Sequence, residues 1–276
     1  MQPGRLRPAC EAAHDRRHCD RIEAAWIVEG NCGGHADQYI EPMEPARLLD
    51  ILPTQCSLCR GWGTARLCEV CLARFAVVVP RCRRCAIEVP TGQGECGACL
   101  REPPPFASAA AAFDYVEPWR YQIARFKFHA GLDLGRVLAD RIVASAQALP
   151  ARPTLLLPVP LSDARLRERG YNQAWELARR IGRRLRVRAE PRLLLRLRDT
   201  PHQLALPVDR RAANVRGAFA VEPLRRAEVA GQEIALVDDV MTTGATLAEL
   251  ARVLLAAGAA QVHVWVAART PRPADT

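Results

Sequence analysis

The stretch from Glu233 to Leu247 places two neighbouring carboxylates next to a group of hydroxyls. Asp238 and Asp239 come first, and a loop of small residues follows them: Thr242, Thr243, Gly244, Ala245 and Thr246. Backbone N–H groups at a helix N-terminus attract phosphate, and threonine hydroxyls add further donors. Paired carboxylates accept hydrogen bonds from a vicinal diol. A 5-phosphorylated ribose offers both groups, so the stretch predicts a site for one; the alternative is an ordinary turn in which an Asp caps a helix.

The elements on either side of this loop are a strand and a helix. The apolar run 234–237 predicts a buried strand that ends at the two aspartates. Apolar residues recur at helical spacing after the loop, and Gly258 stands where such a helix would end. The order is therefore strand, acidic pair, hydroxyl loop and helix.

Four Cys-x-x-Cys pairs lie between residues 56 and 99, separated by 8, 10 and 10 residues. Two such knuckles close one tetrahedral shell around Zn²⁺, so eight thiolates predict two structural zinc ions. Disulfides are the alternative, but they do not suit a reducing compartment. Sequential pairing needs only short loops, and interleaved pairing stays open. The predicted ligands are Cys56, Cys59, Cys68, Cys71, Cys82, Cys85, Cys96 and Cys99.

Composition divides the chain into unequal parts. Residues 1–42 have no periodicity, and we interpret them as disordered or as an extension that is not translated, with Met43 as the natural start. We expect a double zinc ribbon over 43–102, a proline linker at 103–105, a larger domain over 106–270 and a tail over 271–276. No run of 18 apolar residues and no apolar leader is found, so we expect a cytoplasmic protein without membrane insertion.

The larger domain has a coarse pattern of strands and helices. Strands are predicted at 107–115, 154–160 and 261–269, and helices at 118–128 and from 171 to about 186. The segment 196–219 is polar and broken by proline, which predicts a mobile excursion near the site.

The basic residues suggest where anions bind. Arg165 and Arg169 lie in a predicted turn after the second strand and are candidates to hold a pyrophosphate, while Lys127 is the one lysine in a chain that otherwise uses arginine. Residues 165–198 hold twelve arginines and three glutamates, and the chain carries a net charge of +9. Four arginines repeat at helical spacing, and they predict either a face for an external polyanion or a solvated surface: Arg179, Arg180, Arg183 and Arg184.

Together these motifs resemble the ComF family of competence-associated, phosphoribosyltransferase-like proteins. The resemblance covers residues 46–270 and includes the knuckles, the Lys127 motif, the Arg-Glu-Arg-Gly-Tyr-Asn-Gln run to Gln173, and the segments around Gln203 and Arg210. The last loop is similar to the 5-phosphoribosyl 1-diphosphate (PRPP) loop of type I phosphoribosyltransferases. The resemblance implies an α/β fold of that type, a mainly parallel sheet with helices on both faces, after a small zinc-binding domain. It also implies a link to DNA uptake and utilisation.

Two functions stay open at this point. As an enzyme, the protein would bind PRPP with Mg²⁺ and transfer the phosphoribosyl group to an acceptor that no residue identifies. As a binding module, it would sense PRPP or a nucleotide and contact single-stranded DNA or other DNA-processing proteins through its basic surface. Lys127, Gln203 and Arg210 are further site candidates in either case.

Overall fold

The computed structural model describes residues 53–128, 131–198 and 215–272 of the chain. The predicted extension over 1–42, the predicted start at Met43, and the candidates Gln203 and Arg210 lie outside the described residues.

The cysteine-rich segment has little regular structure. Strands β1 (Thr54–Gln55) and β2 (Trp62–Gly63) form a short antiparallel pair, and two helices follow, α1 (Glu69–Phe75) and α2 (Gly97–Arg101). Each helix begins directly after a cysteine of a knuckle, Cys68 or Cys96. The knuckle turns therefore set where these helices start.

The rest of the described chain contains seven strands and five α-helices. The strands are β3 (Ser108–Asp114), β4 (Leu155–Pro158), β5 (Arg188–Ala189), β6 (Leu194–Arg196), β7 (Phe219–Val221), β8 (Glu233–Met241) and β9 (Gln261–Arg269). The α-helices are α3 (Trp119–Phe128), α4 (Gly135–Gln147), α5 (Asp163–Arg169), α6 (Gln173–Leu185) and α7 (Ala245–Ala256). Short 3₁₀ turns cover Leu132–Leu134 and Pro223–Glu228.

Five strands form one parallel sheet in the order β3-β9-β8-β4-β5, while β6 and β7 form a separate antiparallel pair. Side chains alternate between the two faces of the sheet. On one face, Leu157 and Leu236 pack with Leu250 of α7. On the other, Leu156 and Val237 belong to a second buried cluster, which includes Ile142 and Ile181 of α4 and α6. The sheet is thus covered on both faces, and the predicted fold class is confirmed.

Two local predictions were wrong. Strand β8 does not end at the acidic pair but continues to Met241, because β9 is equally long and keeps pairing with it as far as Arg269. The predicted turn that holds Arg165 and Arg169 is the helix α5. The Ser162 hydroxyl caps that helix, and Gly170 ends it in the left-handed region at φ 76°.

The cysteine-rich segment packs directly against the larger part of the fold. The Trp119 indole of α3 donates to the Phe75 carbonyl at 2.6 Å, and Arg81 donates to Asp114 at 2.8 Å. Leu67 and Ala76 belong to the buried cluster under α4 and α6. The segment therefore covers apolar surface of the sheet domain. Among the described helices, none has the length and apolar character needed to cross a bilayer.

Candidate functional site

A cleft of about 230 Å³ lies at the carboxyl ends of β3, β4 and β8. Ligands of open parallel sheets bind at this edge, since the loops that follow the strands converge there. The structure brings most of the predicted site residues together around the cleft: Lys127, Arg165, Arg169, Asp238, Asp239, Thr242, Gly244, Ala245 and Thr246. Thr243 stands at the exposed tip of the same loop.

The two residues of the acidic pair lie near the carboxyl end of strand β8. Asp239 is 3% exposed, and its Oδ1 lies 3.1 Å from the Nζ atom of Lys127, which reaches it from the end of α3. The Asp238 Oδ1 atom accepts a hydrogen bond from the Asp239 N–H at 2.8 Å. One buried cation therefore sits beside two carboxylates.

The charges of this group shift one another's protonation. Burial and the neighbouring Asp239 carboxylate raise the pKa of Asp238 to about 8, although Lys127 acts in the opposite direction. Burial alone lowers the pKa of Lys127, but the charges of Asp239 and Asp238 outweigh burial and raise it. Lys127 is therefore charged, and its charge counteracts the rise in the pKa of Asp238.

The hydroxyl loop turns directly into the N-terminus of α7. Gly244 is the residue before the helix and has φ 83°, a conformation that favours glycine. The Thr243 hydroxyl oxygen accepts from the Ala245 N–H at 3.4 Å. The first N–H groups of an α-helix have no partner within the helix, so this loop presents donors and a partial positive charge to the cleft.

The basic side of the cleft comes from α5. The guanidinium of Arg169 lies over the Phe128 ring, 4.7 Å from its centroid, and its buried Nε atom has no hydrogen-bond partner among the described residues. Two acceptors at the cleft are equally without one there, Oδ2 of Asp239 and Oε1 of Gln173. Buried polar atoms are normally paired, so unpaired ones that line a cleft are suited to a polar ligand.

Sequence reasoning did not predict several residues that line the cleft, among them Tyr115, Phe128 and Gln173. Tyr115 follows β3, Phe128 ends α3, and Gln173 opens α6. Each stands at the end of an element, and only the parallel order of the sheet brings those ends together. The position of Phe128 directly after Lys127 was the one local signal.

The eight cysteines form two groups, Cys56/Cys59/Cys68/Cys71 and Cys82/Cys85/Cys96/Cys99, whose sulfur atoms lie within 4.8 Å of one another. All eight thiols are free, and pairing is sequential. The Cys59 and Cys68 sulfurs are 3.8 Å apart, and those of Cys85 and Cys96 are 3.7 Å apart. A tetrahedron with Zn–S bonds of about 2.3 Å has edges of about 3.8 Å, so both tetrads fit a metal ion of this kind.

A backbone N–H group donates to one sulfur atom in each tetrad. The Cys68 N–H donates to the Cys56 sulfur at 3.4 Å, and the Cys96 N–H donates to the Cys82 sulfur at 3.3 Å. Burial raises the pKa of Cys56, but donors from the backbone outweigh burial and lower it to about 6. A thiolate is the form that binds a metal.

The arginines on the outer face of α6 have acidic partners nearby. Glu176 forms ion pairs with both Arg179 and Arg180, and Asp140 of α4 lies 3.4 Å from Arg184. This face is therefore partly neutralised within the fold.

Comparisons with known proteins agree with this architecture. A family model described as "Phosphoribosyl transferase domain" matches residues 135–275. DNA utilization protein YhgH of Escherichia coli is 32% identical over 232 residues, which span 79% of this chain and 98% of that protein. Competence protein F of Haemophilus influenzae is 30% identical over 80% of this chain and 100% of its own length.

Among solved structures, glutamine PRPP amidotransferase from B. subtilis aligns with 52% of this chain and 26% of its own. Its sequence identity is 24% and the TM-score is 0.29. A score this low carries no structural argument, so the relationship rests on the sequence matches.

Proposed function

The chain belongs to the ComF family, and from that premise we propose that its cleft binds PRPP and serves phosphoribosyl transfer in DNA utilisation. The observation that carries the proposal is the meeting of three chemically distinct groups in one cleft. They are the acidic pair on β8, the hydroxyl loop at the start of α7 and the arginines of α5. A phosphorylated, pyrophosphate-bearing ribose has a complement for each.

The acidic pair would hold the ribose ring. Asp238 and Asp239 would accept hydrogen bonds from the 2- and 3-hydroxyls, and the unpaired Oδ2 of Asp239 is suited to this role. Lys127 would hold the Asp239 carboxylate in position before the sugar arrives, since its Nζ atom lies 3.1 Å from that carboxylate. A compact ammonium fits beside a carboxylate in a narrow space that a planar guanidinium would overfill.

The hydroxyl loop would hold the 5-phosphate. Threonine hydroxyls and the first N–H groups of α7 supply the donors, and Gly244 allows close approach of the backbone. Arg165 and Arg169 would hold the pyrophosphate from the opposite wall. Mg²⁺, when bound with PRPP, would neutralise part of the pyrophosphate charge.

The reaction would be a substitution at C1 of the ribose. The lone pair of an acceptor forms the new bond to C1, and the C1–O bond breaks with its electrons leaving on pyrophosphate. The transition state is positively charged at the ring, so positioning and stabilisation of the leaving group contribute most. The acidic carboxylates near the ring would also favour this positive charge.

Zinc is the metal that we propose for the two tetrads. Four thiolates at tetrahedral spacing form a closed site, which stabilises a fold and leaves no open position for catalysis. Clusters of free thiols of this kind also fit a reducing compartment such as the cytoplasm.

The direct test incubates the protein with PRPP and Mg²⁺, adds candidate acceptors, and follows release of pyrophosphate. Turnover supports a transferase. Saturable binding without turnover with any acceptor would favour a PRPP-sensing module instead.

A second candidate function, contact with single-stranded DNA, has one observation in its favour. Trp62 on β2 is 73% exposed and lies in the sequence between Arg60, which is exposed, and Arg66, whose guanidinium pairs with Asp133. A base stacked on an exposed aromatic ring contributes about 1–3 kcal/mol. If this surface binds single strands, Trp62→Ala should weaken binding about tenfold or more without changing affinity for PRPP. Equal binding of a fluorescent oligonucleotide by both proteins would remove this candidate.

A further inference from the structure

The side chain of Arg269 joins the second cysteine tetrad to the hydroxyl loop. Arg269 is the last residue of β9 and is 9% exposed. Its Nε atom donates to the Cys85 carbonyl at 2.9 Å, and its Nη1 atom donates to the carbonyls of Met241, at 3.1 Å, and Thr242. One buried guanidinium therefore binds backbone oxygens from a metal knuckle and from the start of the phosphate-binding loop.

The Thr242 contact adds a constraint that the sheet does not supply. Ladder pairing of β8 with β9 ends at Met241 and Arg269, and the Thr270 N–H then donates to the Met241 carbonyl at 3.0 Å. Thr242 is the first residue beyond this pairing. The Arg269 side chain is thus positioned to hold the loop where the sheet stops holding it.

The other end of the guanidinium is anchored in the knuckle itself. The Ala86 N–H donates to the Cys82 carbonyl, and the Cys82 N–H donates to the Ile87 carbonyl, both at 2.8 Å. These bonds close the tight turn whose two thiols belong to the second tetrad. A metal ion held by those thiols fixes the turn, and with it the position of the Cys85 carbonyl.

Apolar packing connects the same two places. Ala86 is fully buried and belongs to the cluster that contains Met241 at the end of β8 and Leu247 in the first turn of α7. Movement of the knuckle would therefore disturb both the hydrogen bonds and the packing beneath the loop.

We propose that Arg269 is a positioning residue that fixes the hydroxyl loop against the second knuckle, so that metal occupancy of that tetrad and phosphate binding are thermodynamically linked. The proposal rests on the function proposed above for the loop. Coupling between two sites commonly changes affinity 5- to 150-fold, and it is reciprocal.

The test compares Arg269→Met with Arg81→Met. The Arg81 guanidinium also joins the second knuckle to the sheet domain, through the Ala86 carbonyl at 3.1 Å and Asp114 at 2.8 Å, but neither partner belongs to the hydroxyl loop. Both side chains are largely buried, so both variants remove a comparable anchor. With both proteins carrying two zinc ions, calorimetry should show about tenfold weaker binding of ribose 5-phosphate for Arg269→Met and less than a twofold change for Arg81→Met.

A reciprocal measurement distinguishes linkage from simple destabilisation. Saturating ribose 5-phosphate should raise, about fivefold or more, the free chelator concentration that removes one of the two zinc ions at equilibrium. In Arg269→Met this protection should disappear, whereas Arg81→Met should retain it. Equal protection in all three proteins, or equal loss of affinity in both variants, would overturn the proposal.

Hydrogen exchange separates this proposal from the proposed function. Without any ligand, amides of residues 243–247 should exchange about tenfold faster in Arg269→Met than in wild type, and at the wild-type rate in Arg81→Met. If wild type binds no ribose phosphate, the proposed function fails, and exchange still decides whether Arg269 positions the loop. Should Arg269→Met not fold, Arg269→Lys retains the charge and is expected to show the same changes in smaller measure; wild-type exchange and affinity in that variant would refute the role.

Discussion

The two cysteine tetrads have the same chemistry but lie against different parts of the cleft. The first tetrad packs on α3: Trp119 and Gln122 of that helix donate to the carbonyls of Phe75 and Ser57. The same helix carries Lys127 to the acidic pair. The second tetrad contacts the hydroxyl loop through Arg269. One knuckle pair is thus connected through α3 to the acidic pair, and the other through Arg269 to the hydroxyl loop.

The two sets of contacts indicate that the cysteine-rich segment also supports other parts of the fold. About 45 residues with little regular structure bury too little apolar surface to fold alone, so we expect metal binding to stabilise them. Leu67 and Ala76 are also part of the sheet domain's buried cluster. A metal ion bound by each tetrad would therefore also stabilise elements that form the cleft.

The largest expected effect is that of removing both metal ions. Chelation of reduced protein should unfold residues 56–101, because the thiolate sites are the main source of stability there. The slow amides of β8 and β9 should stay protected, since their strands lie inside the five-stranded sheet. Hydrogen exchange with mass spectrometry checks both parts. Fewer than one zinc per chain in carefully reduced protein, or loss of protection throughout, would contradict this expectation.

The next effect concerns the acidic pair. At pH 9, where Asp238 is largely ionised, Asp238→Asn and Asp239→Asn should each weaken PRPP about 10- to 100-fold, because a hydrogen bond to a charged acceptor contributes roughly 1.5–3 kcal/mol. The aspartates do not cap α7, because they lie in β8 and Gly244 is the residue before that helix. Thr243→Val is the matched change at the phosphate end, and it should weaken ribose 5-phosphate as well as PRPP. Equal PRPP affinity in wild type and all three variants would argue against a cleft in which the acidic pair binds the ribose and the hydroxyl loop binds the phosphate.

A smaller effect is expected from the replacement of Lys127. This residue lies on α3, the helix against which the first tetrad packs, and it contacts the acidic pair. Lys127→Met removes the cation that pairs with Asp239 and that counteracts the raised pKa of Asp238, so PRPP should bind about tenfold more weakly at pH 7. Arg125→Met removes a cation from the same helix and serves as the control. Recovery of wild-type PRPP affinity at high pH in Lys127→Met would support this role of Lys127. Equal loss of PRPP affinity in Lys127→Met and Arg125→Met would contradict it.

The smallest effect is a pH dependence. The pKa of Asp238 is raised to about 8, and its ionised form accepts a hydrogen bond from a hydroxyl more strongly than the protonated form does. Since protonation increases below that pKa, PRPP affinity should rise up to about tenfold between pH 7 and pH 9. The slope should be absent in Asp238→Asn. A PRPP affinity that does not change between pH 7 and pH 9 in wild type would contradict the raised pKa of Asp238.

The sequence was most informative where a motif and its chemistry lie close together. Strand β9 has the predicted bounds, and the two tetrads follow from four knuckles, since local spacing determines which thiols can meet. The hydroxyl loop is equally local. In contrast, β8 runs past the acidic pair because its neighbour β9 continues to pair with it, and this cannot be read from β8 alone.

Contacts between distant residues were beyond sequence reasoning. Arg269 is the last residue of a strand with an alternating pattern, a position where charged residues are common. No neighbouring residue in the sequence indicates that its side chain contacts Cys85, 184 positions earlier. Tyr115 and Phe128 reach the cleft through the order of the parallel strands. Helix α5 was predicted as a turn because its run of charged residues has no apolar stripe, while Ser162 and Gly170 supply the caps that define it.

The most direct test of the account is a calorimetric titration of the zinc-loaded, full-length protein with PRPP and Mg²⁺, repeated with the Asp238→Asn/Asp239→Asn double variant. We predict saturable binding at one site per chain in wild type and, at pH 9, at least a 100-fold loss in the double variant, whose zinc content should not change. No saturable binding by wild type, or equal affinity in the two proteins, would contradict the assignment of this cleft to PRPP.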